Sequence, residues 1–267
     1  MSPVIKARWL YMLSLLSLPA LSSYGQQPAM KLVWSDEFNY TGLPDSTKWN
    51  YDVGGGGWGN HELEYYTRAR PDNARVEHGH LVIEAKKERY KENDYTAARL
   101  VSKGKGDWLY GKMEIRAKLP KGTGTWPAIW TLASKDSMRW PADGEVDIME
   151  HVGFNPGFIH ASVHCAAYNH RIHTQKTDTL LVKDFAEQYH IYSMLWTPES
   201  ISIAVDDTFY FRFANEHTGR AAWPFDQKMY LILNLAVGGD WGGSKGIAQD
   251  IWPQEMDVDY VRVYQAG

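Results

Sequence analysis

Apolar and polar residues alternate along this chain in short runs, each closed by Gly, Pro, Asn or Asp. In YGKMEIRAKL (Tyr110 to Leu119), Met113, Ile115, Ala117 and Leu119 share one side, while Lys112, Glu114, Arg116 and Lys118 share the other. That is the period-two pattern of a strand with one dry and one wet face. Further β-rich runs are Leu81 to Glu88, Trp126 to Ala133, Phe158 to Tyr168, His190 to Trp196, Ser200 to Asp207, Met229 to Val237 and Met256 to Gln265. Only the stretch from Val182 to Tyr189 has a spacing suited to a short helix. So many strands, with turn residues between them, predict an all-β fold of two packed antiparallel sheets, a β-sandwich jelly roll.

One segment departs from the alternation. GEVDIMEHVG (Gly144 to Gly153) carries three carboxylates, Glu145, Asp147 and Glu150, among apolar and β-prone residues. Strict alternation sends Glu145 and Asp147 to one face, and Glu150 to the other with Val146 and Ile148. An unpaired carboxylate on a core face is costly. The pattern therefore predicts a β-bulge at Ile148 or Met149 that returns Glu150 to the face of the other two acids, and bulges concentrate beside active sites.

The first 25 residues are of another kind: Lys6 and Arg8, an apolar run from Trp9 to Leu21, then Ser22, Ser23 and Gly25. This is the pattern of a secretory signal peptide, with cleavage after Gly25, and its apolar run is short for a membrane span. The expectation is one domain over residues 26–267, exported to the periplasm or beyond, monomeric, and free of the membrane after cleavage. Without Lys6 and Arg8 the remainder holds 26 basic against 32 acidic residues, a formal charge of −6. That balance gives no reason to expect nucleic acid as a partner. In EAKKERYKEN (Glu84 to Asn93) the bases are interleaved with acids, as on a solvated face. Cys165 is the single cysteine and forms no intramolecular disulfide, so it reads as a small packed residue.

Eleven of the twelve Trp lie beyond residue 25, and Trp58, Trp126 and Trp241 stand beside Gly or Pro rather than inside apolar runs. An indole offers a flat apolar platform with one donor, which suits the C–H face of a sugar in a wet groove. Trp34, Trp49 and Trp196 sit in ordinary strand contexts. Two carboxylates across a groove are the equipment of glycoside hydrolysis, one as nucleophile and one as acid and then base. Glu145 and Glu150 lie roughly 13–16 Å apart along a strand, near enough for inward-leaning side chains to converge. Asp147, between them, would polarise Glu145 and raise a neighbouring carboxyl through its like charge. A metal site is the other chemistry open to three acids, Ca²⁺ above all since no His stands near at ligand spacing.

GEVDIMEHVG preceded by WPAIWTLA resembles the active-site region of glycoside hydrolase family 16, in its laminarinase-like, endo-β-1,3-glucanase branch. The resemblance extends through WSDEFN (Trp34 to Asn39), GWGNHELEYYT (Gly57 to Thr67), ARLVSKGK (Ala98 to Lys105), YGKMEIRAKLP (Tyr110 to Pro120), NLAVGGDW (Asn234 to Trp241) and VDYVRVYQ (Val258 to Gln265). It implies Glu145 as nucleophile, Asp147 as its assistant and Glu150 as acid/base. The spacing E-x-D-x-x-E is similar to that of the laminarinase-like branch and of agar- and carrageenan-cleaving relatives. Enzymes of mixed-linkage β-1,3-1,4-glucan and xyloglucan usually have E-x-D-x-E.

By the same resemblance Trp126 and Trp130 floor the cleft near the cleaved bond, Asn60 and Arg99 contact glycone sugars, His164 neighbours the acid/base, and Trp241 is a stacking platform at one end. No cofactor is implied for catalysis. A structural Ca²⁺ is implied away from the cleft, on the backbone oxygens of Glu37 and Gly79 and on Asp259. The resulting expectation is a retaining endo-hydrolase of β-1,3-glucans. Alternatives are a β-1,3-1,4-glucan or galactan hydrolase of the same family, a transglycosylase using the same residues, and a non-catalytic β-glucan-binding module; three aligned acids weigh against the last.

Overall fold

The computed structural model describes residues 29–267; the signal peptide expected at residues 1–25 lies outside them. Two large sheets account for nearly all the regular structure. The first has ten strands. Its main path runs Thr208–Ala214, Ser200–Val205, His190–Trp196, Gly111–Lys118, Gln254–Ala266, His80–Tyr90, Asn93–Ala97 and Glu64–Tyr66. Met30–Asp36 pairs beside Gln254–Ala266, and Ala74–Glu77 beside His80–Tyr90. The second has eight, in the order Lys176–Leu181, Phe158–His164, Glu145–Glu150, Thr125–Ala133, Met229–Val237, Arg99–Val101 and Asn50–Asp52, with Asp107–Trp108 also on Met229–Val237. Every pairing between these strands is antiparallel except that of Glu64–Tyr66 with Asn93–Ala97.

The sequence alternation becomes the two faces of each sheet. Along Gly111–Lys118 buried and half-buried residues strictly alternate, and Met113, Ile115 and Ala117 enter the core. Met229–Val237 is buried at all nine positions, because both of its faces are covered. Met229, Leu231, Leu233, Leu235 and Val237 join the main core between the sheets. Tyr230 and Ile232 face the other way and form a smaller cluster with Val101 and Leu132, capped by Trp130, Met138 and Trp140. This second apolar layer underlies the site described below.

Trp49 and Trp196 are almost fully buried, and Trp34 packs edge-on against Trp49 and Trp108. Cys165 is buried, its Sγ against the Ala222 carbonyl at 3.4 Å. Two expectations need correction. Residues 182–189 form turns rather than a helix, with the Glu187 and Gln188 amides both bonded to the Asp184 carbonyl. Phe185 buries its ring there and its carbonyl accepts from Leu119 N, so tertiary docking outweighs helical spacing. The strand from Phe158 ends at His164, because Cys165 and Tyr168 bond to each other across a tight turn.

Candidate active site

The acidic strand Glu145–Glu150 lies between Thr125–Ala133 and Phe158–His164. Against the first, Val146 pairs with Thr131 and Asp147 with Trp130, but Met149 pairs with Ile129 and Glu150 with Ala128. Ile148 is passed over. Against the second, Asp147 faces Ser162 and Glu150 faces His160, so three steps on one strand match two on the other. Ile148 and Met149 are both fully buried in the main core. Their burial, worth roughly 1.5–3 kcal/mol each, offsets the local loss of ladder pairing, and the extra residue returns Glu150 to the face of Glu145 and Asp147.

Two glycines frame this strand. Gly144 adopts φ +89°, a left-handed conformation that costs a glycine little. At Gly153 a Cβ would stand 1.7 Å from the Gly122 carbonyl oxygen, so only glycine lets the chain pass there. Just after Glu150, His151 is fully buried and accepts from Gly157 N at 3.1 Å through Nε2. Burial lowers its basicity to about 4, so it stays neutral and fixes the exit of the strand.

Each outer acid is held by an indole. Trp140 Nε1 donates to Glu145 Oε2 at 3.0 Å, and Trp126 Nε1 donates to Glu150 Oε1 at 3.0 Å. Asp147, 4% exposed, lies between them with Oδ2 3.2 Å from His164 Nε2, which is also 3.8 Å from Glu145 Oε1. Burial, the largest cause at each, pushes all three carboxyls up to about 8. The Asp147 charge adds to this at Glu145 and Glu150, whereas His164 and the two indole donors pull those two back. Acids this close exchange protons as one unit. At neutral pH the trio holds protons rather than three charges, the condition needed for an ionised nucleophile beside a protonated acid.

The surroundings of the acids are aromatic. Trp241 meets Trp126 edge-on at 5.6 Å and His160 at 4.9 Å, beyond Glu150. Arg99 lies between the rings of Trp58 and Trp130, at 4.8 and 4.7 Å, with its Nε 3.0 Å from Asp52. Trp130 Nε1 donates to Asn234 Oδ1 at 2.7 Å, and Asn60 Nδ2 to Glu62 Oε1 at 3.2 Å. Against Trp140, His170 sits at 4.9 Å and the Arg171 guanidinium at 4.4 Å.

Two placements differ from the sequence expectations. His164, expected beside the acid/base, has its closest contacts with Asp147 and Glu145, because the register sets it opposite Glu145 and gives the place opposite Glu150 to His160. His151 follows Glu150 directly but packs against Phe185, whereas strand pairing brings His164 to the acids. Glu145, Asp147 and His164 have ligand atoms within 4.8 Å of one another, the one such metal-capable group among the described residues. The expected calcium set fares differently. Asp36 pairs with Val261 and Leu81 with Val258, which brings the segments of Glu37, Gly79 and Asp259 to one corner. However, the Asp259 carboxylate is held by Arg116 at 2.5 Å and that of Glu37 by Arg262. Arg116 engages Oδ2 of Asp259 alone, so Oδ1 and the backbone oxygens of Glu37 and Gly79 are the donors this corner would offer a calcium ion.

Trp140, Asn234, Asp52, His160, Glu62 and Glu64 were not legible as site residues from sequence. For Trp140 a signal was available, since RWPADG sets an indole beside Pro and Gly just as GTWPA does. The others are ordinary strand or loop residues until the sheet brings them together.

Residues 61–262 match the sequence model of glycosyl hydrolases family 16. The chain is 55% identical over 246 residues to the β-glucanase of Rhodothermus marinus, covering 89% of this chain and 86% of that one. It is 39% identical over 264 residues to the glucan endo-1,3-β-glucosidase A1 of Niallia circulans, covering 88% of this chain and 38% of that protein's length. Among solved structures it is similar to the X-ray structure of the laminarinase from Rhodothermus marinus, with a TM-score of 0.88 at 54% identity, covering 89% of this chain and 98% of that chain.

Proposed function

From the premise that the chain belongs to glycosyl hydrolase family 16, we propose that it is an exported endo-hydrolase that cleaves β-1,3-glucosidic bonds with retention. The observation that carries this reading is the pair of indole-held carboxyls, Glu145 under Trp140 and Glu150 under Trp126, with Asp147 between them. Glu145 attacks the anomeric carbon as Glu150 gives its proton to the departing glycosidic oxygen, and a glycosyl ester forms on Glu145. Glu150, now ionised, takes a proton from the incoming water, whose oxygen displaces Glu145 from the anomeric carbon. Asp147, desolvated and beside His164, exchanges a proton with its neighbours so that Glu145 is freed as nucleophile while Glu150 keeps its hydrogen.

The laminarinase-like substrate is supported by the bulge at Ile148 and by the relatives named above. Export rests on the pattern of residues 1–25. No step of this chemistry passes through a metal ion.

Product analysis on laminarin, lichenan and agarose in parallel, with proton NMR of the first-formed anomer, tests substrate and stereochemistry together. Laminarin cut internally with a β-anomer formed first is the expected result. Loss of laminarin turnover in Glu145→Ala completes the case, and a variant that keeps substantial turnover overturns it.

A further inference from the structure

Beneath the groove runs a chain of hydrogen bonds that all point one way. Trp130 Nε1 donates to Asn234 Oδ1 at 2.7 Å, Asn234 Nδ2 donates to Tyr66 Oη at 3.0 Å, and the Tyr66 hydroxyl donates to Glu62 Oε2 at 3.2 Å. Because Tyr66 receives its bond from an amide, its own hydrogen is free for Glu62. Asn60 Nδ2 adds a second donor to the other Glu62 oxygen at 3.2 Å. The chain therefore ends on Glu62 as an acceptor at both oxygens, which is the behaviour of an ionised carboxylate.

Next to it is a second carboxyl with a different environment. Glu64 is 0% exposed. Its Oε2 accepts from Val237 N at 2.7 Å, and its Oε1 is buried with no donor to receive a bond from. The side chain in hydrogen-bonding reach is Glu62. Two acceptors make a favourable contact only when a proton lies between them. Since each Glu62 oxygen already accepts from a donor while Glu64 Oε1 has none, the proton belongs to Glu64, and Glu62 keeps lone pairs free to accept it.

We propose that Glu64 is a positioning residue of the glucan groove: a carboxylic acid that keeps its proton at neutral pH, whose O–H holds Glu62 in place and, through Tyr66 and Asn234, fixes the ring of Trp130. This rests on the reading of the cleft as a glucan-binding site. Trp130 in turn stacks against Arg99 at 4.7 Å, so one buried proton sets two groups of the groove floor. The groups facing Glu64 are Glu62 and Tyr66 from its own segment, Tyr95 opposite it on Asn93–Ala97, and Val237 N from the central strand. Arg99 acts on Glu62 and Tyr66 from Arg99–Val101. Burial, and then the Glu62 charge, both favour the protonated form of Glu64.

The test compares the full chain with Glu64→Gln, whose amide donates to Glu62 and accepts from Val237 N, and with Glu64→Leu, which does neither. Infrared difference spectra at neutral pH read the proton directly: the wild type carries a carboxylic-acid carbonyl band that Glu64→Gln lacks. With laminari-oligosaccharides, Glu64→Gln keeps KM within about twofold, whereas Glu64→Leu raises KM about tenfold with a smaller fall in kcat, the effect of losing one buried hydrogen bond beneath a binding surface. On raising pH, KM of the wild type climbs as Glu64 ionises, and that climb is absent from Glu64→Gln. An unchanged infrared spectrum in Glu64→Gln, or a KM raised in Glu64→Gln as far as in Glu64→Leu, overturns the proposal. If Glu64→Leu fails to fold, the spectrum and alkaline profile of Glu64→Gln still decide. A wild type that leaves laminarin uncut defeats the functional reading, while the infrared result on Glu64 stands apart from it.

Discussion

Trp140 Nε1 stands 3.0 Å from Glu145 Oε2, and Trp126 Nε1 stands at the same distance from Glu150 Oε1. Each outer acid thus has its own neutral donor, and each donor favours the ionised form of its acid. The consequences have opposite uses, because the nucleophile must be ionised and the acid must not.

Trp140→Phe keeps an aromatic ring but removes the N–H. Glu145 becomes harder to ionise, so the acid limb of kcat/KM moves to higher pH, and kcat falls roughly tenfold or more for a lost hydrogen bond to a charged group. Trp126→Phe acts on Glu150, so its alkaline limb moves to higher pH. Steady-state pH profiles of the two variants on laminarin separate these cases. Limbs that stay put in both would show that the indoles only pack.

The pH dependence of the parent enzyme follows from the same groups. Glu150 is pushed up to about 8, so as pH rises through that value it loses the proton that the leaving group requires, and kcat/KM declines. Asp147→Asn removes the like charge that helps raise Glu150, so the alkaline limb shifts to lower pH in that variant. A shift to higher pH would mean that Asp147 acts on Glu150 by some route other than charge.

Deleting Ile148 leaves the spacing E-x-D-x-E, in which strict alternation keeps all three acids on one face without a bulge. Turnover should therefore persist, reduced by up to about a hundredfold as Glu150 moves along the strand, with a lower melting temperature from the lost core residue. A deletion variant as inactive as Glu150→Ala would show that the third acid does depend on the bulge. Differential scanning calorimetry and a laminarin assay on one preparation read both effects.

His151 gives a stability prediction away from the chemistry. Burial pushes its folded-state pKa down to about 4, below the ordinary histidine value of about 6.5. The stabilisation of the neutral ring is therefore fully present above pH 6.5 and is lost as pH falls toward 4, up to about 3 kcal/mol over that window. Denaturant unfolding from pH 7.5 to 4 should show a slope that flattens in His151→Gln. An unchanged slope would assign the acid sensitivity to other groups.

How far each feature was legible depends on the distance over which its cause acts. The strand pattern was readable at Gly111–Lys118 and Met229–Val237, where burial follows sequence neighbours. The stretch 182–189 misled, because Phe185 is fixed by docking against a distant part of the chain rather than by helical spacing. Trp126 meets Glu150 and Trp241, Arg99 lies on Trp130 and Asn60 bonds Glu62, but what holds each one could not be foreseen. Asp52 on Arg99 and Asn234 on Trp130 come from strands far away in sequence.

By itself the sequence determined the three acids and the phase break between them, since a carboxylate on a core face is too costly to tolerate and one extra residue is the local remedy. Tertiary structure alone decided which partners those acids met. Strand register put His164 opposite Glu145 and His160 opposite Glu150, and a loop carried Trp140 onto Glu145. The protonation of Glu64 was likewise decided only in the fold, because removal from water and contact with Glu62 exist only once the sheets have closed around them.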